Sequence, residues 1–171
     1  MTASCAAGVT SPFAPGDLVV YPTHGVGKVT DIETKQAGGQ ELKLLVISFE
    51  ENRMTLRVPM LKVKTSGLRN VLSKRAMSAA LATLKEPAVK GRGLWNRRAT
   101  EYAAKINSGN TVAIAEVVRD LRRSSNEQEP SYSQRLLYEQ ALGRLTNEVA
   151  AVEKIKSDDA VLKLEEMLNA A

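Results

Sequence analysis

Residues 40–58 read QELKLLVISFEENRMTLRV, two β-rich runs separated by the polar break EENR. In the second run apolar and polar residues alternate, which is the period of a strand with one buried face. Further short runs lie at residues 18–21, at 26 and 29–32, and at 61–63. Pro22, His24-Gly25 and Gly38-Gly39 separate these runs and are typical turn residues. The N-terminal part of the chain is therefore predicted to contain five short β-strands.

Glycines shape this predicted sheet. Gly38-Gly39 between two runs predicts a tight hairpin, and Gly25 and Gly27 lie where a strand has to bend. Short, bent strands in this number are typical of a small barrel of the SH3 or Tudor type. We assign residues 13–66 to this barrel. Residues 1–12 are expected to form a flexible tail, since the start has neither the basic segment nor the apolar core of a secretory signal.

The apolar period changes to 3.6 from about residue 68, which indicates helices. Helices are predicted at residues 73–84, 94–107, 110–123, 131–156 and from 157 onwards. Ser131 is a suitable N-cap for the longest of them. The predicted fold class is α+β, β then α: an N-terminal five-stranded Tudor/SH3-like barrel is followed by a C-terminal bundle of about five helices at residues 67–171.

Composition excludes several classes of protein. One cysteine, Cys5, cannot form an internal disulfide, and Cys5 and the single His24 do not make a set of zinc ligands. No nucleophile–base pair is recognisable, and no apolar run approaches the roughly 18 residues that a membrane helix needs. We therefore expect a cytoplasmic protein that is not an enzyme, has no metal or cofactor, and binds neither a membrane nor a small-molecule substrate.

Positive charge is concentrated in the middle of the chain. The 171 residues include 24 Lys+Arg and 19 Asp+Glu, a net charge of +5. Residues 85–123 alone carry nine basic and four acidic residues, which equals the charge of the whole protein. An anionic partner such as nucleic acid is therefore expected to meet this segment.

Trp95, the only tryptophan, lies within the basic segment. Lys90 and Arg92 precede it in a linker, and Arg97 and Arg98 follow it. One interpretation is a half-buried core residue that anchors the linker. The other is an exposed wedge that enters a base step from the minor groove while the cations hold phosphates. The sequence leaves both interpretations open.

Four segments in this order resemble the CarD/CdnL family of bacterial transcription regulators. They are GDLVVYPTHGVGKVTDIE at 16–33, TLRVP at 55–59, LWNRR at 94–98 and EVVRDLRR at 116–123. The resemblance extends over residues 13–168. The barrel alone is also similar to the polymerase-interacting domain of the transcription-repair coupling factor, but the later Trp and EVVRDL motifs favour the stand-alone CarD type.

The resemblance implies a division of labour between the two domains. The barrel would bind the β1 lobe of the RNA polymerase β subunit, partly through a strand edge. The helical domain would reach promoter DNA at the upstream fork of the transcription bubble. There the tryptophan would insert at the minor groove and slow bubble collapse, so that the open promoter complex is stabilised. The protein would associate with the nucleoid through the polymerase, as a monomer.

Site residues are carried over by position. For DNA, the family motif implies Trp95, Arg97 and Arg98, and the charge pattern adds Lys90, Arg92, Arg119 and Arg122. For polymerase, the motif TLRVP implies Arg57, and the predicted contact set also contains Lys35, Arg53, Val58 and Pro59. Thr100 stands where some members carry a basic DNA contact. This departure leaves the number of phosphate contacts open.

Other functions were weighed against this one. A methyl-lysine reader needs several converging aromatic residues, and the barrel has only Phe13, Tyr21 and Phe49 on different strands. A stronger alternative is an adaptor of RNA polymerase or of repair machinery that makes no direct DNA contact and keeps Trp95 in its core.

The end of the sequence gives one further hypothesis. The last residues, including Ala170-Ala171, are similar to tails that ClpXP-type proteases recognise, so turnover would be regulated there. The simpler interpretation, which we place first, is a frayed helix end.

Overall fold

Five antiparallel strands form the N-terminal domain. The computed structural model describes residues 11–89, 91–122 and 129–170. Its sheet has the order β4-β3-β2-β1-β5. The strands are β1 (Leu18–Tyr21), β2 (Gly25–Ala37), β3 (Gln40–Phe49), β4 (Met54–Pro59) and β5 (Arg69–Asn70). Most of the predicted N-terminal tail lies outside the described residues, as do Lys90 and Ala171.

The fifth strand is not where the sequence pattern predicted it. Residues 61–63 are not a strand, because Met60–Lys62 form a 3-10 turn in which Val63 N–H donates to Met60 O. This turn directs Met60 and Val63 into the barrel core. The last strand is instead Arg69–Asn70, which pairs with Val19 and Val20 of β1. The sheet therefore extends past the predicted domain boundary at residue 66.

The hairpin predicted at Gly38-Gly39 is confirmed, whereas the strand bend predicted at Gly25 and Gly27 stays a prediction. Gly38 and Gly39 have φ values of 61° and 79°, which is the positive-φ pair that a two-residue type I′ hairpin requires. Gly27 lies where β2 crosses the barrel core. A Cβ atom there would be 2.6 Å from Ile47 Cγ2 and 2.7 Å from Phe49 Cε1. Only glycine leaves room for these two side chains.

Five helices follow the sheet, as predicted, within the described residues: α1 (Lys74–Ala82), α2 (Trp95–Asn107), α3 (Thr111–Leu121), α4 (Tyr132–Glu153) and α5 (Ser157–Asn169). Ser131 caps α4 through a capping box with Gln134. The predicted end of α4 at residue 156 is wrong, because Lys154 adopts the left-handed conformation and ends the helix at Glu153.

Helix α4 is the central element of the bundle. It packs against α2, α3 and α5 and also contacts β2. Leu145 and Val149 of α4 join Val117 and Val118 of α3 and Leu164 of α5 in one buried core. The barrel has its own core around Leu45, Ile47 and Phe49. No helix in the described ranges is long and apolar enough to cross a membrane.

We predict that Gly27→Ala destabilises the protein by about 1–3 kcal/mol, because the added methyl group overpacks the barrel core. Gly143→Ala in α4 is the matched control: its Cβ atom would meet only Glu51 Oε1 at 3.8 Å. Alanine in place of a helical glycine is expected to stabilise by up to about 1 kcal/mol. Thermal unfolding measures both changes. Equal melting temperatures for the two variants would contradict the packing argument.

Candidate functional site

Trp95 is the first residue of α2. The preceding linker carries Pro87, Gly91 and Gly93, the last with a φ of 109° that excludes it from a helix. Leu94 takes the N-cap position without a side-chain hydrogen bond, and its side chain is 82% exposed. The local sequence therefore places a tryptophan at a helix start, next to an exposed leucine.

The indole of Trp95 is half-buried and held by three neighbours. Its Nε1–H donates to Ser133 Oγ at 2.8 Å. Its ring lies 6.3 Å from the ring of Tyr102, and the Arg98 guanidinium lies 5.5 Å from its centroid. It also packs against the core of the helical domain. Trp95 therefore combines features of both interpretations, since it is anchored on one side and partly exposed.

Arg98 is stacked on Trp95 as a cation–π pair. The linker passes close to it, because a Cβ atom at Gly91 would lie 3.0 Å from Arg98 Nε. The Nε atom is buried and has no hydrogen-bond partner among the residues that the structure describes. The absence of a side chain at position 91 thus lets the linker pass close to the arginine without moving it.

Arg97 and Arg92 are exposed cations beside this cluster. Arg97 is 3.5 Å from Glu101 in an i,i+4 ion pair, with 82% of its side chain exposed. Such an exposed pair is worth only about 0.3–0.5 kcal/mol, so Arg97 is held only weakly in this position. Thr100 donates its hydroxyl to Asn96 O and adds no charge. The predicted contact Lys90 lies outside the described residues.

Arg119 does not have the exposure that a DNA contact needs. Its side chain is 9% exposed and bonded to Asp120 at 2.8 Å and Glu86 at 3.0 Å. The hydrogen bond from Arg119 to Asp120 raises the pKa of the guanidinium. Asp120 also accepts a hydrogen bond from Val89 N–H. We therefore correct the interpretation of Arg119: it ties the linker to α3 instead of facing solvent.

Arg122 lies at the C-terminal end of α3, where cations are favourable. It is half-buried, and its Nη2 donates to Asn169 Oδ1 at 3.3 Å. This contact connects α3 to the end of α5. One guanidinium donor of Arg122 is therefore already used within the helical domain, and its side chain is less exposed than that of Arg97.

On the barrel, Arg57 forms an ion pair that the sequence did not reveal. Its Nε lies 3.0 Å from Glu33 Oε2, and this hydrogen bond lowers the pKa of Glu33. Arg57 is opposite Val46, and Glu33 is opposite Leu44. Both apolar residues are buried although they are outside the barrel core cluster. The ion pair thus lies beside Leu44 and Val46, which form a small apolar patch on the outer face of the sheet.

Strand β4, which carries Arg57, is at the edge of the sheet and pairs only with β3 in the described part of the chain. Lys35 is exposed on β2, and Arg53 is exposed in the turn before β4, with a φ of 48°. Val58 is 6% exposed and belongs to the barrel core, because neighbouring residues of a strand point to opposite faces and Arg57 lies on the outer face. We correct its role: its side chain is buried in the barrel and is not available to a partner. Pro59 is half-buried.

The chain offers no metal centre among the described residues, where no three His, Cys, Asp or Glu side chains come together. The sites therefore consist of two surfaces. One is the start of α2, with Trp95 and its arginines. The other is the outer face of β2–β4 around Arg57. Both suit binding, and neither brings together the groups of an acid–base or nucleophilic mechanism.

We predict that Ser133→Ala loosens Trp95, because the indole N–H loses its acceptor. Trp95 is the only tryptophan, so its fluorescence reports this site alone. The emission is expected to shift to longer wavelength and to become more accessible to iodide. Ser133→Thr keeps the hydroxyl and serves as the control. Identical emission and quenching for wild type and Ser133→Ala would show that the hydrogen bond does not hold the ring.

Comparisons with known proteins give consistent matches. The family model described as "CarD-like/TRCF RID domain" matches residues 13–72, and the model "CarD, C-terminal domain" matches residues 79–165. The chain is 29% identical over 143 residues to "Putative transcription factor YdeB" of Bacillus subtilis (strain 168), covering 84% of this chain and 94% of that protein.

Among solved structures, the 72-residue N-terminal domain of Myxococcus xanthus CarD matches with 36% sequence identity and a TM-score of 0.30. The match covers 37% of this chain and 84% of that domain. The two family models and the Bacillus subtilis relative support a role in transcription.

Proposed function

Because the chain belongs to the CarD family, we propose that it binds RNA polymerase through its barrel and stabilises the open promoter complex through its helical domain. The observation that carries this proposal is the start of α2. There a partly exposed Trp95 stands beside Arg97 and Arg98, in the segment that holds the positive charge of the protein. No enzymatic step is part of the proposal.

The polymerase-binding surface is proposed to be the edge strand β4 with Arg57. An unpaired strand edge presents N–H and C=O groups that another chain can bind. Arg57 is 47% exposed, and its planar guanidinium is suited to a carboxylate of the β1 lobe of the β subunit. Lys35 and Arg53 would add charge around this contact. Glu33 holds Arg57 over Leu44 and Val46 until a partner carboxylate replaces it.

DNA binding is proposed to be weak by itself. Arg92, Arg97 and Arg98 could neutralise three phosphates, which gives a salt slope of about −3 and a non-specific Kd on the order of 10⁻⁴ M or weaker. Opening a base step costs a few kcal/mol more. Anchoring by the barrel would raise the local concentration to about millimolar, and the upstream fork of the bubble would supply a base step that is already partly open. The function therefore requires both domains.

Stabilisation of the open complex follows from differential binding. A wedge that fits only the melted fork lowers the free energy of the open state and leaves the closed state unchanged. About 1.4 kcal/mol of such preference shifts the equilibrium tenfold. Trp95, with Leu94 exposed beside it, offers the apolar surface for this contact.

Two substitutions test this division of labour. Trp95→Ala is expected to shorten the lifetime of the open complex about tenfold while polymerase binding persists. Arg57→Glu is expected to abolish polymerase binding, because it replaces the cation that would meet a polymerase carboxylate by a second carboxylate beside Glu33. Open-complex lifetime and polymerase affinity are measured with purified components. Tight, sequence-specific binding of the isolated protein to promoter duplex would contradict the proposal.

The adaptor function remains the second candidate, favoured by the anchoring of Trp95 to Ser133 and to the core. Under it, the protein would bridge polymerase to another factor and leave DNA untouched. The same pair of variants separates the two functions. A loss of binding in Arg57→Glu together with an unchanged open-complex lifetime in Trp95→Ala would favour the adaptor.

We also propose that the chain works as a monomer in the cytoplasm, on nucleoid-bound polymerase. Ala170 is exposed just after α5, and Ala171 lies outside the described residues. The protease signal at Ala170-Ala171 therefore stays a hypothesis behind the simpler frayed helix end.

A further inference from the structure

A bidentate ion pair joins the barrel to the helical domain. Arg69 of β5 places Nη1 2.8 Å from Glu148 Oε1 and Nη2 3.2 Å from Glu148 Oε2. The same guanidinium donates to Gly109 O at 2.8 Å and to Thr111 Oγ1 at 3.0 Å. One side chain of the sheet is thus bonded to α4 and to the start of α3.

Glu148 is a buried charge whose hydrogen bonds are satisfied. Its side chain is 3% exposed, and it accepts hydrogen bonds from Thr111 Oγ1 at 2.8 Å and from Leu72 N–H at 3.4 Å in addition to Arg69. A buried carboxylate is strongly destabilising once its partner is removed. The pair therefore penalises arrangements in which the two domains separate or rotate.

A second arginine supports the same orientation from the other side of the β1–β2 turn. Arg144 of α4 donates to Pro22 O at 2.8 Å and to Thr23 O. Burial lowers the pKa of its guanidinium, and its charge is retained because arginine is not deprotonated in proteins. Asn147, one turn further along α4, donates to Glu51 Oε2 at 2.6 Å.

Close packing leaves the turn little room to move. A Cβ atom at Gly109 would lie 2.9 Å from Pro22 Cα, and one at Gly67 would lie 2.9 Å from Pro22 Cγ. Both glycines have positive φ, 71° and 78°. Pro22 is therefore in close contact with both domains at once.

Helix α4 connects this junction with the DNA-binding site. Glu148, Arg144 and Asn147 lie in its C-terminal half, and Ser133, which holds Trp95, lies in its first turn. Fifteen residues separate Ser133 from Glu148, a length of about 22 Å along a helix. A rotation of about 10° about the junction would move Ser133 by about 4 Å, more than the roughly 3.4 Å between neighbouring bases.

We propose that Arg69 and Glu148 are positioning residues for open-complex stabilisation: their ion pair sets the angle between the polymerase-bound barrel and α4, so that Trp95 meets one base step. The inference rests on the proposed function. We expect the ion pair to act on the orientation of Trp95 and not on the affinity for polymerase. A loosened junction would let the protein bind polymerase and still miss the fork.

The test uses the full chain with Arg69→Met and Glu148→Met combined, which removes the pair without leaving one charge buried alone. The open-complex lifetime at saturating protein is expected to fall about fivefold or more, with polymerase affinity unchanged. Spin labels at the exposed positions Gln40 and Glu166, in a Cys5→Ala background, measure the interdomain distance, whose distribution is expected to broaden.

The matched control replaces another ion pair of the same length. Lys105 and Glu116 are 2.8 Å apart and join α2 to α3 inside the helical domain. Lys105→Met with Glu116→Met makes the same chemical change away from the junction. It is expected to leave both the lifetime and the distance distribution as in wild type.

Several outcomes would overturn the inference. The double variant could keep the wild-type open-complex lifetime although its interdomain distance distribution broadens. It could keep the wild-type distance distribution, or it could lose affinity for polymerase. Should that variant fail to fold, Arg144→Met is measured in the same way and carries the same expectations. Failure of the proposed function is separate, since it would appear as a full lifetime in Trp95→Ala.

Discussion

The structure depends on one polar junction, the hydrogen-bonded pair of Arg69 and Glu148. Two domains with separate apolar cores have little reason to keep a fixed angle, because the cores do not merge. A carboxylate that is 3% exposed changes this, since any movement that separates it from Arg69, Thr111 and Leu72 leaves a buried charge unpaired. Arg144 adds a second restraint on the β1–β2 turn. These contacts restrain the angle between the two domains, and α4 extends from the junction to Ser133, which holds Trp95.

This arrangement explains why the two binding surfaces belong to one function. Arg57 lies on an edge strand, where it is accessible and weakly held by Glu33. Trp95 lies at a helix start, anchored by Ser133 and stacked with Arg98. Neither surface has the contacts for tight binding alone, because three or so phosphate contacts are weak. In the proposed function, a fixed geometry would let binding at the first surface present the second to DNA in a single orientation, which would reduce the entropic cost of binding.

Much of the fold was predictable, and the misses have physical causes. The β-rich run at 40–49 located β3, alternation located β4, the glycine pair located the hairpin, and Ser131 located the start of α4. Residues 61–63 were assigned to a strand as a short β-rich run, yet the buried residues are Met60 and Val63, three positions apart, which is the period of a 3-10 turn, and Leu61 is 77% exposed. For the site, charge density drew attention to Trp95 and its neighbours, but it could not distinguish Arg97, which is exposed, from Arg119, which is buried between Asp120 and Glu86. The adjacent Arg119 and Asp120 were the one local signal of this pairing.

The amino-acid sequence by itself determined the order of elements, the family and the segment that carries the positive charge, because periodicity, turn residues and net charge are local properties of the chain. Only the tertiary structure decided which charges are free and which are used internally. Arg69 and Glu148 are 79 residues apart in sequence, Arg144 and Pro22 are 122 apart, and nothing near either member of a pair announces the other. Such partners are selected when folding removes water from both side chains and each polar group must find a replacement for it. For that reason the orientation of Trp95 relative to the barrel is a property of the folded molecule alone.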